Sequence, residues 1–258
     1  MSELAVTTEI KGHTGIITLN RPEAYNTFNT ELATLLNSAL SSFDHNSAIR
    51  VVVIRSNGKN FSTGIDLKEF DDKGLDEYVE FISLMDRHNH TIAEMKKPVI
   101  SAVQGYCLAN GAGLSFACDM TIASESAKFG TTAINVGLIC TGPGIPLIAN
   151  VGRKKAMEMV LLGDMLTAQQ AHDLGLVNWV VPDEELDSKT FEIADRLASK
   201  SPLAIAAGKR GLSNAYNSPY REAVDFGTKM FATLCASDDA KEGVSAFIEK
   251  RTPDWKLK

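Results

Sequence analysis

The chain has 258 residues, 44% apolar and 22% charged, with a net charge of −6 from 26 basic and 32 acidic side chains. That composition excludes a disordered chain, a collagen-like repeat and a disulfide-stapled miniprotein, because about three-quarters of the surface of so long a chain can be buried. It also argues against a general nucleic-acid surface, which needs a basic footprint, so an anionic ligand would need a local basic patch.

In chain order, residues 5–10 alternate, Gly12-His13 turns the chain, and residues 15–19 read as a second strand. From Thr30 the apolar positions Leu32, Leu35, Leu36, Ala39, Leu40 and Phe43 follow helical spacing. Residues 51–54 are a continuous apolar run, which suits a strand buried on both faces. A glycine-containing loop over 57–66 and a helix over 75–95 follow, and Pro98 ends the helix and opens a strand over 99–103. The rhythm repeats with a loop over 105–113, a helix to Ala117 and a strand over 120–123. After a Gly/Pro-rich stretch at 137–146, helical spacing resumes over 153–162, and residues 176–181 read as a strand. The remainder is helical, including 202–217, 220–235 and 238–251. Strands alternating with helices predict an α/β protein, and the strand-free end predicts a helical appendage.

Cys107, Cys118, Cys140 and Cys235 show no paired spacing and read as reduced thiols. The first residues lack a signal-peptide pattern, no apolar run approaches the ~18 residues of a membrane span, and the final KLK is not an SKL-type address. The expected location is the cytoplasm. His88 and His90 are no metal pair, because residues two apart on a helix face different directions, and no metal site is expected.

The loops FSTGIDLKE (61–69) and QGYCLANGAG (104–113) each follow a buried strand and lead to a helix. Ligands bind at such positions in α/β folds. The first N–H groups of a helix lack intrahelical partners, so one N–H from each loop would make an oxyanion hole. Spacing alone leaves open that both are ordinary strand-to-helix turns.

Together with NRPEAYN (20–26), KPVISAVQG (97–105), Cys118-Asp119, AKFG (127–130), GLVN (175–178) and AFIEKR (246–251), these loops make the chain resemble the enoyl-CoA hydratase/isomerase (crotonase) superfamily over nearly its whole length. The resemblance implies a spiral of repeated ββα units over residues 1–198 and a helical region over 199–258 that assembles trimers or hexamers. It implies an acyl-CoA thioester substrate, with coenzyme A arriving as part of that substrate and no tightly bound cofactor. The thioester oxygen would lie between the N–H groups of Ile65 and Asn110. Ala24, Thr63, Gly64, Asp66, Leu67, Gly111 and Ala133 would line the substrate path, with Asp66 and Asp119 chiefly structural. Phe247 and Lys250 match positions that touch coenzyme A, although Lys250 also reads as a solvated helix lysine.

The two glutamates that hydratases of the family use to move protons align with Gly113 and Ala133. Among polar residues near the reacting centre, Asn135, Cys140 and Thr141 are candidates, with Cys140 also readable as a small apolar filler. His90 matches a histidine of the 4-chlorobenzoyl-CoA dehalogenase branch, but Thr141 stands where that branch has its aspartate and Ala133 where it has an aromatic. The expected activity is enoyl-CoA hydratase/isomerase-type chemistry with a non-standard proton shuttle. The alternatives are a malonyl-type acyl-CoA decarboxylase, suggested by the INVG stretch at 134–137, and a non-catalytic CoA-thioester binder.

Overall fold

The computed structural model describes residues 4–70, 73–216 and 218–255. Its strands in chain order are β1 (Val6–Lys11), β2 (Thr14–Leu19), β3 (Val51–Ser56), β4 (Val99–Val103), β5 (Tyr106–Leu108), β6 (Met120–Ser124), β7 (Lys128–Gly130), β8 (Met165–Thr167) and β9 (Trp179–Val181). The helices are α1 (Thr30–His45), α2 (Leu75–Glu94), α3 (Asn110–Ala117), α4 (Thr141–Leu162), α5 (Ala168–Asp173), α6 (Leu186–Ala198), α7 (Pro202–Ala215), α8 (Tyr220–Cys235) and α9 (Asp238–Glu249). The main sheet has the order β1-β2-β3-β4-β6-β9, and a second sheet has the order β5-β7-β8. All neighbours in the main sheet are parallel except the β1–β2 hairpin.

The continuous apolar run of β3 has a direct cause. Successive side chains of a strand point to opposite faces. Val52 and Ile54 enter the larger core with α1 and α2, while Val51 and Val53 enter a smaller core against Leu186, Ile193, Ala194 and Ala198 of α6. A strand covered on both faces has no solvent side on which to place polar residues.

The spiral follows from a repeated step. The chain runs along the main sheet, crosses to the second sheet and then enters a helix, as in β4–β5–α3 and β6–β7–α4. After β3 the crossing shrinks to one residue, Ser62, which bridges Cys107 of β5. The crotonase-like α/β architecture with a C-terminal helical region is therefore present.

Several expectations are corrected. The segment 105–113 is not wholly loop, because it contains β5. β7 and β8, three residues each, are too short to show alternation in the sequence. The Gly/Pro stretch does not delay the helix to residue 153, since α4 begins at Thr141. Pro143 lies in its first turn, where N–H groups have no intrahelical partner anyway. Gly152, at φ 75° and ψ 165°, interrupts α4 immediately before the periodic stretch 153–162, which is helical as its spacing predicts. The strand expected over 176–181 is confined to β9; Leu176 and Val177 are buried in the turn before it. The helix expected to reach Asn217 ends at Ala215, and Asn217 itself lies outside the described residues. The other helix ends also fall short, at Glu94 for α2 and Glu249 for α9.

Asp119 is an anchor. Its carboxylate accepts from the Val99 N–H at 2.8 Å and from Lys209 Nζ at 2.7 Å, tying the start of β4 to α7. Ser201 and Asp239 join α7 to α9 through a buried 2.6 Å hydrogen bond.

Candidate active site

The two glycine-containing loops are laced together. Ser62 donates its N–H to the Tyr106 carbonyl at 3.1 Å and accepts from the Leu108 N–H at 2.9 Å. Gly111 leaves no room for a side chain, because a Cβ there would meet the Ser62 carbonyl oxygen at 2.4 Å. Gly64 has φ +107°, and a Cβ on it would meet Ala109 Cβ at 2.8 Å and the Asn110 nitrogen at 3.7 Å.

This packing brings the two expected donors to one place. Phe28 gives its N–H to the Gly64 carbonyl at 2.7 Å and accepts from the Asp66 N–H at 2.9 Å. In that parallel bridge the N–H of Ile65 faces away from Phe28. Asn110 opens α3, where an N–H has no helical partner. Ala109 before it sits at φ 48° and ψ −120°, held by its N–H to the Gly130 carbonyl at 2.8 Å. Such a conformation costs about 1–3 kcal/mol and persists only where the surroundings over-determine it, commonly at functional sites. Among the described residues neither the Ile65 N–H nor the Asn110 N–H has a protein acceptor. Both residues line a cavity of about 820 Å³.

The cavity wall is largely apolar, and Leu67, Val136, Leu138 and Ile139 leave its rim exposed. Ala133 lines it. At Gly113 a side chain would meet Pro143 at 3.0 Å, so α4 fills the place where a hydratase carboxylate would start.

One lining residue was not singled out in the sequence. Asp86 on α2 accepts from Asn110 Nδ2 at 2.9 Å and is the only carboxylate lining the cavity among the described residues. Burial pushes its carboxyl up, against the opposing pull of Asn110 and His90. Tyr78, Ile82 and Asp86 all line the cavity, four residues apart on one helix face. An acid continuing an apolar stripe at that spacing was the signal available.

The remaining candidates fall as follows. Cys140 caps α4 and lines the cavity with its thiol buried. Burial pushes that thiol up, and Asp86 adds to the effect while the Ala133 backbone opposes it, so it is held protonated. Thr141 and Thr63 also line the cavity. His90 is exposed one turn beyond Asp86, outside the lining, whereas His88 is buried against Phe28 at 5.5 Å. Burial lowers His88 to about 4, so it is neutral. Asn135 donates to the Gly163 carbonyl at 3.5 Å and lies outside the lining. Ala24 closes a short 3-10 turn, and the next residue, Tyr25, accepts from the Thr63 N–H at 3.2 Å. Phe247 and Lys250 stand exposed at the end of α9, with Phe247 84% accessible, and neither lines the cavity in the single chain.

Asp66 caps the 3-10 turn Leu67–Glu69 and pairs with Arg21 at 2.9 Å. Burial alone would raise its carboxyl, but Arg21 and the Lys68 N–H hold it below the ordinary value. A lowered folded pKa stabilises above the unfolded value of about 3.9 and is lost as pH falls through the folded value. Asp66→Asn is therefore expected to cost about 1–3 kcal/mol at neutral pH. Denaturant midpoints measured against pH should show the gap to the parent closing below about pH 4. A gap that stays constant with pH would refute the assignment.

The Enoyl-CoA hydratase/isomerase family model matches residues 9–258. A probable mitochondrial enoyl-CoA hydratase of Dictyostelium discoideum is 38% identical, covering 96% of this chain and 90% of that protein. The 2,3-dehydroadipyl-CoA hydratase of Escherichia coli (strain K12) is 36% identical over 99% of both chains. The crystal structure of an enoyl-CoA hydratase of Mycobacterium smegmatis superposes with a TM-score of 0.94 at 33% identity, covering 98% of this chain and 99% of that one. With the family match spanning nearly the whole chain and the spiral architecture in place, the protein belongs to the enoyl-CoA hydratase/isomerase family of enzymes.

Proposed function

We propose that the cavity binds an acyl-CoA thioester and stabilises its enolate, in hydratase/isomerase-type chemistry. The observation that carries this reading is that Ile65 and Asn110, whose N–H groups have no protein acceptor among the described residues, line one largely apolar cavity. Donors fixed where negative charge develops, and screened from water, lower the barrier without reorganising during the reaction. Backbone donors do this work whatever side chains stand at Gly113 and Ala133. The exposed apolar rim suits an acyl chain, and coenzyme A enters as part of the substrate rather than as a bound cofactor.

The exposed apolar side chains of α7–α9, including Leu212, Tyr220, Phe231 and Phe247, support assembly through residues 199–258 as a trimer or hexamer. That assembly would bring Phe247 and Lys250 to the coenzyme A of a neighbouring copy. The reading places the protein in the cytoplasm; no helix among the described residues is long and apolar enough to cross a membrane.

Turnover is expected for at least one 2- or 3-enoyl-CoA in a panel spanning chain lengths and aromatic acyl groups. Binding without turnover would favour a CoA-thioester binder, and CO2 release from a malonyl-type thioester would favour the decarboxylase reading. Absence of both binding and turnover would overturn the proposal.

A further inference from the structure

The enolate reading leaves the proton without a carrier. Gly113 and Ala133 have no side chain that can move one, the Cys140 thiol is held protonated by burial, and exposed His90 lies outside the cavity lining. Tyr78, Asp86 and Cys140 are the titratable side chains of the lining among the described residues, and only Asp86 is a carboxylate.

The placement of Asp86 is specific. Its Oδ1 accepts from Asn110 Nδ2 at 2.9 Å, so the carboxylate is held by the residue whose backbone N–H is the proposed oxyanion donor. Its Oδ2 accepts from no described protein donor. The first turn of α4 makes room for it, because a Cβ on Gly142 would meet Oδ2 at 2.1 Å. Any other residue at 142 would displace the carboxylate. One oxygen is thus fixed to the oxyanion residue and the other is left without a partner beside the cavity. In a thioester the α-carbon is bonded to the carbonyl carbon, so a group beside the oxyanion donor is at the right end of the substrate. The raised carboxyl of Asp86 adds to this, since a carboxylate shifted toward neutrality both takes and returns a proton more evenly.

We propose that Asp86 is the acid–base group of this site, taking the α-proton of a 3-enoyl thioester and returning it to the γ-carbon. The proposal rests on the enolate reading and narrows it to a 1,3-proton transfer. Asp86 Oδ2 accepts the α-proton. The C–H electron pair forms a double bond between the α- and carbonyl carbons, and the carbonyl π pair moves onto the thioester oxygen between the Ile65 and Asn110 N–H groups. When the oxygen pair re-forms the carbonyl, the β,γ double-bond electrons collect the proton from Asp86 at the γ-carbon. The new alkene lies between the α- and β-carbons. No water, oxidant or second acid is consumed, and Asp86 ends ionised as it began. One carboxylate suffices for this reaction, whereas hydration must also activate a water.

The test uses the full-length enzyme with 3-hexenoyl-CoA, followed by formation of the conjugated thioester, and with hexanoyl-CoA in D2O, followed by loss of the α-proton. Asp86→Asn keeps an oxygen to accept from Asn110 and removes the base. It is expected to lower both rates by at least about 10²-fold, the scale of general acid–base catalysis, with hexanoyl-CoA binding unchanged. Parent-like rates in this variant would overturn the role of Asp86 and leave the enolate reading intact. If the variant also loses binding, Asp86→Ala with added formate decides. Restored proton exchange supports the assignment, and its absence overturns it. A parent enzyme that neither isomerises nor exchanges, yet turns over a 2-enoyl-CoA, would overturn this proposal alone; one that neither binds nor turns over any thioester of the panel would overturn the enolate reading with it.

Discussion

Gly111→Ala is expected to lower kcat/KM on an enoyl-CoA substrate by about 10²-fold or more, the cost of losing one oxyanion donor. A Cβ at 111 would lie 2.4 Å from the Ser62 carbonyl oxygen, 2.7 Å from Ser62 Cβ and 2.8 Å from its carbonyl carbon. Two of the three are backbone atoms, which cannot rotate aside. The loops must part, and the hydrogen bonds between Ser62 and residues 106 and 108 must stretch or break. Ile65 is three residues beyond Ser62, and Asn110 immediately precedes Gly111. The separation of the two N–H groups therefore changes directly, and about 1 Å of misplacement is enough to cost 10²-fold in rate. Steady-state kinetics on whichever enoyl thioester the parent turns over provides the measurement, with circular dichroism confirming the fold. Unchanged kcat/KM would mean that the two loops do not form the reacting site.

Gly105→Ala should produce the largest loss of stability. Gly105 has φ +57°, and a Cβ there would lie 2.0 Å from the Lys59 carbonyl oxygen. The residue turns the chain from β4 into β5, and its own carbonyl accepts from the Lys128 N–H at 2.8 Å. Left-handed backbone costs an alanine about 1–2 kcal/mol, and overpacking a tight site typically adds about 1–3 kcal/mol. A total of about 2–5 kcal/mol corresponds to a fall in Tm of roughly 10 °C for a domain of this size. Gly12 supplies the comparison: it has φ +59°, yet a Cβ on it would meet nothing within 4 Å. Gly12→Ala should therefore show only the conformational cost of about 1–2 kcal/mol. Equal effects of the two substitutions in thermal unfolding would show that the contact with Lys59 is not rigid.

These two glycines show how much of the site was legible. The loops stood out because glycines, a preceding apolar run and a following helix are all local features. Their partners were not visible. Nothing around Gly111 announces Ser62, and nothing around Gly105 announces Lys59, because both contacts join different turns of the spiral. β5, β7 and β8 were hidden for a related reason: three residues are too few for alternation, and each strand is defined by its neighbour. The start of α4 was hidden by its prolines: Pro143 lies in the first turn, where a missing N–H costs little, whereas Pro146 lies inside the helix, where only the tertiary context holds it.

Asp86 shows the same limit at the centre of the site. Within α2 it stands beside Arg87, His88 and His90, and the local sequence does not say which of these polar side chains turns inward. Only the packing of α2 against α3 and the start of α4 turns that side chain toward Asn110, 24 residues away, and into the space that Gly142 leaves.

Composition and periodicity were sufficient for an α/β chain with a helical end, and the resemblance carried by the motifs along the chain gave its family and the expectation of backbone donors at Ile65 and Asn110. They also showed that no carboxylate stands at Gly113 or Ala133. Those properties depend on local pattern, which a sequence carries directly. Tertiary structure alone decided that Pro143 fills the space at Gly113, that His90 stays outside and that Asp86 comes in. The direction a side chain faces, and what it meets there, depend on elements distant in the chain.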